Sequence, residues 1–285
     1  MKSSIPKKYK LNNGNYIPTV GLGTYYLPQN KTKQIVYEAC KIGYKHFDTA
    51  VLYENEKEVG EGISQWLNEN PEVHKRESIF YTTKLWNNQC GYNEAKYAIK
   101  ECLNKVKGLG YIDLLLIHSP LAGSLLRLET YRAMQEAVEE GIVKNIGVSN
   151  YGKHHIEELL NWSDLKIKPV VNQIEISPWL MRQELADYCK SRELIVEAYA
   201  PLTHGYKIKH PDVLKVAEEC NVTPGQILIR WSLQHGYVPL PKTATLHRLK
   251  ENLDVYGFEL SDEQMLFLDH PNSYDPTDWE CTDAP

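Results

Sequence analysis

The sequence lacks any long hydrophobic run. Its longest purely aliphatic stretch covers residues 114–117, whereas a membrane-spanning helix needs about 20 apolar residues. The first eight residues also lack the apolar segment of a secretory signal. We therefore expect no membrane partner and a cytoplasmic location.

Clusters of basic residues are equally absent. The 32 Lys and Arg residues are outnumbered by 37 Asp and Glu residues, and the net charge of -5 is spread along the chain. A nucleic-acid-binding surface requires a basic patch or a stripe of basic and aromatic residues. The charge pattern thus predicts no nucleic-acid partner.

The six cysteines form no Cys-x-x-Cys pair. They lie at positions 40, 90, 102, 189, 220 and 281, and without a secretory signal this scatter favours free thiols in a reducing compartment. The histidines, including the adjacent His154 and His155, show no recognised metal-ligand spacing. We predict neither a disulfide framework nor a metal site.

What is present is the composition of a soluble globular protein. The 285 residues, 42% hydrophobic and 24% charged, are enough for a large buried core. This length fits two ordinary domains or one large barrel. Because no segment rich in Pro, Gly or Ser divides the chain, we predict a single domain over residues 1–285.

Short apolar segments alternate with amphipathic ones along the chain. After a turn at 12–15 that predicts an N-terminal β-hairpin, we expect strands at 19–23, 45–47, 79–82, 113–117, 145–148, 170–174, 195–198 and 238–240. Helical periodicity predicts helices at 32–42, 55–68, 93–107, 128–140, 153–161, 181–191, 212–220 and 224–235. Eight such units predict an α/β protein with a (β/α)8 barrel, followed by an irregular tail over 269–285.

A doubly wound parallel sheet is the alternative architecture. Its dinucleotide-binding fingerprint, Gly-x-Gly-x-x-Gly, is incomplete here because Tyr26 stands at the third glycine position after Gly21 and Gly23. The barrel is therefore favoured.

Polar residues follow three consecutive predicted strands. Asp48 and Tyr53 follow the second strand, Lys84 the third and His118 the fourth. The carboxyl ends of barrel strands meet at one mouth, so we expect these side chains to converge there. A phenol is a poor acid near neutral pH unless a nearby cation stabilises its anion. Taken alone, a capping Asp48 and a packed Tyr53 would be the commoner interpretation.

Six segments together resemble the aldo-keto reductases. They are residues 46–53, Lys84, His118, Gly147-Val148-Ser149-Asn150, Asn172-Gln173-Ile174-Glu175 and Pro241-Lys242-Thr243. The resemblance extends from about residue 9 to residue 268, and it is closest to small fungal members that reduce aldoses such as xylose and arabinose.

The resemblance implies reduction of a small carbonyl substrate, an aldehyde, open-chain aldose or activated ketone, with hydride from NADPH. Tyr53 would donate the proton, and Lys84 would lower the pKa of its phenol. Asp48 would hold Lys84 as its ion-pair partner, while a neutral His118 would orient the carbonyl. Barrels of this kind are often monomers, so we expect a monomer.

The same resemblance implies a set of cofactor-binding residues. Ser149, Asn150 and Gln173 would bind the carboxamide, and Tyr199 would stack on the nicotinamide. Lys242, Thr243 and Arg248 would suit a 2′-phosphate, which favours NADPH over NADH, although a merely exposed basic helix face is the alternative. The other expected cofactor residues are Gly23, Thr24, Pro201, Leu202, Glu251 and Asn252, with Asn252, one helical turn after Arg248, reaching the adenine.

The sequence departs from the family pattern near the expected substrate. Ser119 stands where members with a narrow aromatic pocket often have tryptophan, and both the segment 121–128 and the loop after Tyr199 are short. We therefore expect a wide substrate pocket lined by Tyr25, Trp86, Ser119 and Trp279. The short loops would also cover less of the cofactor.

Two other functions are open on the sequence alone. The chain could be a nicotinamide-binding regulatory subunit without turnover, like the barrels that dock on potassium channels, but those carry a longer N-terminal extension. It could also be a Schiff-base aldolase with Lys84 as nucleophile, because barrels host that chemistry too.

Overall fold

A computed structural model describes residues 5–285, so residues 1–4 of the expected domain lie outside the described range. The chain opens with the predicted hairpin. Strands β1 (Lys8–Lys10) and β2 (Tyr16–Pro18) pair antiparallel around a turn in which Gly14 has a φ of 90°. Leu11 and Ile17 of this hairpin pack against residues of the barrel interior. The hairpin thereby fills one end of the barrel.

Eight parallel strands follow and form one sheet in chain order. They are β3 (Leu22–Gly23), β4 (His46–Asp48), β5 (Phe80–Leu85), β6 (Ile112–Ile117), β7 (Val143–Ser149), β8 (Val171–Glu175), β9 (Ile195–Tyr199) and β10 (Val238–Pro239). Backbone bonds from Gly21 N to Pro239 O and from Gly23 N to Pro241 O, both 3.1 Å, join the first and last strands. The sheet therefore closes into the predicted (β/α)8 barrel.

Glycine is required at this closure. A Cβ atom on Gly23 would lie 2.8 Å from the backbone oxygen of Leu240. This contact is a steric clash, so the strand would have to move. The two strands can approach closely only because position 23 has no side chain.

The helices surround the barrel. They are α1 (Gln29–Ile42), α2 (Glu56–Glu69), α3 (Tyr92–Lys105), α4 (Ser124–Glu139), α5 (Lys153–Leu160), α6 (Gln183–Ser191), α7 (Pro211–Cys220), α8 (Pro224–Gln234), α9 (Leu246–Leu253) and α10 (Asp262–Leu268). The first eight match the predicted helices within a few residues. Helix α4 begins at Ser124 rather than at residue 128, so the segment after His118 is shorter than expected. Helices α9 and α10 were not predicted as elements.

The tail over residues 269–285 contains no helix or strand, as predicted, yet it is held at several points. Thr277 N donates to Glu175 Oε1 at 2.7 Å, at the carboxyl end of β8. Arg182 pairs with Glu280 at 2.5 Å, and Arg127 Nη1 donates to the oxygen of Pro285 at 2.9 Å. The tail therefore crosses the carboxyl end of the barrel, opposite the hairpin.

Two sequence predictions about the whole chain can be compared with the structure. All six cysteines are free thiols. Across residues 5–285, none of the helices has both the length and the apolar character needed to cross a bilayer.

The tail contact at Gly152 generates a stability prediction. A Cβ atom at residue 152 would lie 2.0 Å from the backbone oxygen of Thr282, whereas one at Gly257 would meet no atom within 4 Å. We expect Gly152→Ala to displace the tail near Thr282 and to lower the free energy of unfolding by about 1–3 kcal/mol, the usual scale for overpacking. Urea denaturation measures this, with Gly257→Ala as the control. Equal stability of the two variants would contradict the tail's placement.

Candidate active site

The ammonium of Lys84 forms the centre of the site at the carboxyl end of the barrel. Its Nζ donates to Asp48 Oδ1 at 2.7 Å, to the backbone oxygen of Thr49 at 2.9 Å and to Tyr53 Oη at 3.2 Å. The lysine is completely buried. A buried ammonium is tolerated when it is paired and each of its three N–H groups has an acceptor.

Strand pairing explains why these residues meet. Asp48 ends β4 and pairs with Thr82 of β5, which places Lys84 one layer further along the adjacent strand. A short 3-10 turn, Val51–Tyr53, then brings the phenol back over the strand end. The side chains therefore converge at one mouth, as the barrel predicts.

Tyr53 has a higher pKa than expected from sequence. Burial raises the pKa of its phenol well above 10.0, and the negative charges of Asp48 and Asp278 raise it further. The net shift of this pKa is therefore upward. The expected lowering of the Tyr53 pKa by Lys84 stays a prediction, because the upward shift comes from burial and from the two carboxylates. Tyr53 is accordingly a protonated phenol at neutral pH.

His118 lies beside the phenol as a neutral imidazole. The ring centroids of His118 and Tyr53 are 5.7 Å apart. Burial lowers the pKa of His118 well below 6.5, and the charge of Lys84 lowers it further. Its Nδ1 is buried and has no hydrogen-bond partner among residues 5–285. The expected neutral state of this histidine agrees with its surroundings.

A cavity of about 620 Å³ opens above these groups. This volume is within the range of small-molecule and cofactor sites. Asp48, Tyr53 and His118 line it, and so do twelve of the thirteen residues expected at a cofactor: Gly23, Ser149, Asn150, Gln173, Tyr199, Pro201, Leu202, Lys242, Thr243, Arg248, Glu251 and Asn252. The structure thus brings together residues from nearly every strand end.

One end of the cavity carries unpaired cations. Lys242 and Arg248 are exposed on its wall, and neither forms an ion pair with any described residue. Nearby, Nδ2 of Asn252 is buried without a hydrogen-bond partner in the described part of the chain. A bound ligand commonly satisfies such an orphaned donor. The donors at this end therefore fit an anionic, nitrogen-containing group such as a 2′-phosphorylated adenosine.

Besides the buried Lys84, three expected site residues do not line the cavity. Thr24 is buried and its hydroxyl donates to the backbone oxygen of Asp48 at 2.8 Å, so it supports the strand end instead. Ser119 is also buried, donating to Asn87 Oδ1 at 2.6 Å and capping the turn that begins at Pro120. Trp86 stands behind Trp279, with their ring centroids 5.5 Å apart. Of the expected substrate pocket, Tyr25 and Trp279 face the cavity.

A contact between the tail and the loop after β9 was not predicted from the sequence. His204 and Asp278 both line the cavity, and His204 Nε2 lies 3.4 Å from Asp278 Oδ2. The hydrogen bond raises the pKa of His204 and lowers that of Asp278. No local pattern could reveal this pair, because the residues are far apart in the chain and belong to irregular segments.

A cluster of possible metal ligands lies outside the cavity, and the spacing of its residues in the sequence does not predict it. His210, Asp212 and His270 each place one potential ligand atom within 4.8 Å of the others. Asp212 Oδ2 lies 3.5 Å from His210 Nδ1 and 3.3 Å from His270 Nε2, so contacts to one shared carboxylate account for the group. None of the three lines the cavity.

The hairpin-filled barrel, with a large cavity at the carboxyl ends of its strands, has the form of a (β/α)8-barrel enzyme. Residues 19–271 match the family model described as the aldo/keto reductase family. The chain belongs to the aldo/keto reductase family, which confirms the resemblance predicted from the motifs.

Individual relatives agree with this assignment. A Saccharomyces cerevisiae protein described as an uncharacterized oxidoreductase is 72% identical over 281 residues, covering 99% of this chain and 100% of that protein. The glyoxal reductase of Bacillus subtilis is 40% identical over 273 residues, 95% of each chain. A Bombyx mori aldo-keto reductase solved in complex with NADP superposes with a TM-score of 0.86 at 34% identity, covering 93% of this chain and 92% of that one.

The contact between His204 and Asp278 generates a prediction about titration. Because the hydrogen bond that His204 donates to Asp278 is the main cause of the raised His204 pKa, Asp278→Asn should shift that pKa downward towards 6.5. In the unmodified protein, the charged pair is present at lower pH and is lost as pH rises through the pKa of His204. An NMR titration of the histidine ring protons measures the shift, with the exposed tail residue Asp283→Asn as control. Identical His204 titrations in both variants would show that the pair does not form.

Proposed function

We propose that the protein is an NADPH-dependent reductase of aldehydes, open-chain aldoses and activated ketones. The observation that carries this proposal is the hydrogen bond from Lys84 Nζ to Tyr53 Oη. Because the phenol oxygen accepts this bond, its own proton is free to point into the cavity. Tyr53 is then a general acid within reach of a carbonyl oxygen bound there.

Each neighbouring group has a distinct task in this proposal. Lys84 stabilises the negative charge that develops on the phenol oxygen as the proton leaves. Asp48 keeps the ammonium in place through the 2.7 Å ion pair. Neutral His118 can donate one hydrogen bond to the carbonyl oxygen and so orient it. The high pKa of Tyr53 keeps its proton in place until a substrate oxygen accepts it.

Bound NADPH would supply the hydride. Lys242, Thr243 and Arg248 would hold its 2′-phosphate. The unpaired Nδ2 of Asn252 would donate a hydrogen bond to the adenine. Tyr199 lines the cavity and donates from its hydroxyl to Asn150 Oδ1 at 2.9 Å, an anchored position for stacking on the nicotinamide ring. The NADP complex of the Bombyx mori relative supports this cofactor.

The substrate is expected to be small and uncharged or weakly polar. Short segments after His118 and Tyr199 leave Tyr25 and Trp279 as the aromatic walls at the cavity. The glyoxal reductase relative favours short dicarbonyl compounds as a further substrate group. We also propose aldoses such as xylose and arabinose as substrates, because the sequence resembles small fungal aldo-keto reductases that reduce them.

Neither alternative function is favoured by the geometry. A Schiff-base lysine must present a free amine to its substrate, whereas Lys84 is completely buried and its N–H groups have three acceptors. A regulatory subunit would bind NADPH without consuming it. NADPH oxidation across a panel of xylose, arabinose, methylglyoxal, aromatic aldehydes and ketoesters distinguishes the reductase from both.

Tyr53→Phe tests the proton donor. The variant keeps the aromatic ring but has no proton to donate, so turnover should fall on the order of 100-fold or more while NADPH binding is retained. Steady-state kinetics and fluorescence titration with NADPH measure the two properties. Tyr97→Phe, on the exposed face of α3, is the matched control. Near wild-type turnover in Tyr53→Phe would remove this residue from the mechanism.

Arg248→Ala tests recognition of the 2′-phosphate. Loss of one guanidinium contact to phosphate should raise the Kd for NADPH roughly 10-fold while leaving the Kd for NADH unchanged. Lys250→Ala is the control, because Lys250 is a similarly exposed cation of α9 that does not line the cavity. If wild-type protein binds NADPH no more tightly than NADH, the basic residues of α9 are only a solvated surface.

A further inference from the structure

Below the cavity, three side chains from different strands meet inside the barrel. Gln173 of β8 and Glu197 of β9 are directly paired across the two parallel strands. Asp48 of β4 reaches the same point from the opposite side. All three are buried, and Glu197 has no solvent contact. Such a polar group requires an explanation, because a barrel interior is usually filled with apolar side chains.

The amide of Gln173 connects the two carboxyl groups. Its Nε2 donates to Asp48 Oδ2 at 2.9 Å and to Glu197 Oε2 at 2.9 Å. A primary amide has two N–H groups, so both donors are used. The carboxylate of Asp48, paired with Lys84, offers only acceptor oxygens, so the nitrogen rather than the oxygen of the amide must face it. The orientation of the amide is therefore determined by its neighbours.

The remaining polar atom of Gln173 is its carbonyl oxygen. No described residue donates to Oε1, and this atom is not among the buried atoms that lack a partner. Gln173 also lines the cavity. Oε1 is thus an unused acceptor at the cavity floor, beside the groups proposed to act on the substrate.

Glu197 can occupy this place because it is uncharged at neutral pH. Burial, reinforced by the charge of Asp48, raises the pKa of Glu197 to about 8. Its Oε1 lies 3.3 Å from Nε2 of His46, whose own pKa burial lowers to about 3. The two groups are therefore a neutral acid beside a neutral imidazole and not an ion pair. A neutral carboxyl avoids most of the cost of burying a second anion next to Asp48.

Two hydrogen bonds restrict the orientation of the Gln173 amide more than a single bond would. With Asp48 alone, the amide plane of Gln173 could rotate about a single N–H···O bond. The second bond, to Glu197, fixes the plane and with it the direction in which Oε1 points. The carboxyl of Glu197 does not reach the cavity, so any effect on a ligand must pass through Gln173.

We propose that Glu197 is a positioning residue that holds Gln173 so that its Oε1 faces the cavity and accepts a hydrogen bond from the carboxamide N–H of a nicotinamide. This inference rests on the proposed function, because it requires a nicotinamide cofactor at the cavity. It adds a residue that touches neither substrate nor cofactor. The predicted consequence is confined to the nicotinamide half of the cofactor.

Binding of two ligands tests the inference. One ligand is NADPH, and the other is 2′-phospho-ADP-ribose, which keeps the 2′-phosphate, adenine and pyrophosphate but lacks the nicotinamide. In Glu197→Leu the anchor is gone, so the Kd for NADPH should rise roughly 10-fold, the scale of one lost hydrogen bond, while the Kd for the fragment stays within about 2-fold. Isothermal titration calorimetry measures both constants without turnover.

A conservative variant separates positioning from simple burial. In Glu197→Gln, the amide oxygen can accept from Gln173 Nε2, and the amide N–H faces His46 Nε2, which lies 3.3 Å from Glu197 Oε1. We expect this variant to bind NADPH as the wild type does. Glu197→Met, which has a long flexible apolar side chain, replaces the leucine variant if that protein does not fold.

The possible results are distinct. Loss of affinity confined to NADPH in the apolar variant, with recovery in Glu197→Gln, supports the inference. Unchanged NADPH affinity in the apolar variant overturns it, and so does an equal loss for both ligands, which would mean that Glu197 only supports the fold. Wild-type protein that binds neither ligand overturns the proposed function itself, and the inference with it.

Discussion

The burial of one ammonium group determines the arrangement of the active end of this barrel. Lys84 is removed from water, so its charge must be paired and its three N–H groups must all find acceptors. Asp48, Thr49 and Tyr53 provide those acceptors, and all three belong to β4 or the turn that follows it. The phenol is therefore placed by the needs of a buried charge on the neighbouring strand. A change in that turn would affect the lysine and the tyrosine together.

Charges are distributed unequally along the cavity. At the end near α9, Lys242 and Arg248 are exposed and have no carboxylate partner within the described part of the chain. At the other end the carboxylates are already engaged, Asp48 by Lys84 and Asp278 by His204. A ligand with an anionic end and an uncharged reactive end suits this distribution. It would be oriented by electrostatics before any specific contact with Tyr53 forms.

The barrel and the location of its site could be predicted from the sequence because both depend on order along the chain. Eight apolar segments at regular spacing imply eight parallel strands, and parallel strands end at one face. This geometry predicts that Asp48, Lys84 and His118 lie at the same face, since each is at or just beyond a strand end. Arg248 and Asn252 were likewise expected one helical turn apart, and both lie in α9, which was not predicted as an element.

The structure differs from the sequence-based expectations where a side chain's surroundings depend on packing in three dimensions. Thr24 and Ser119 sit at strand ends, but their hydroxyl groups turn towards protein acceptors, a choice that residue order does not encode. The pKa of Tyr53 depends on how much water reaches the phenol and on Asp278, which arrives from the far end of the chain. His204 and Glu197 were missed for a similar reason. Their partners become neighbours only when the barrel closes and the tail crosses it.

The attachment of the tail has a consequence for how the protein can change over evolutionary time. The segment bearing Asp278 and Trp279 is joined to the rim of the barrel by bonds to the side chains of Glu175 and Arg182. Substitutions there can reshape the entrance without disturbing Lys84 or the strand register. Because the charge of Asp278 also raises the pKa of Tyr53, a substitution at Asp278 would alter the entrance and the acidity of the phenol together, whereas one at Trp279 would alter the entrance alone.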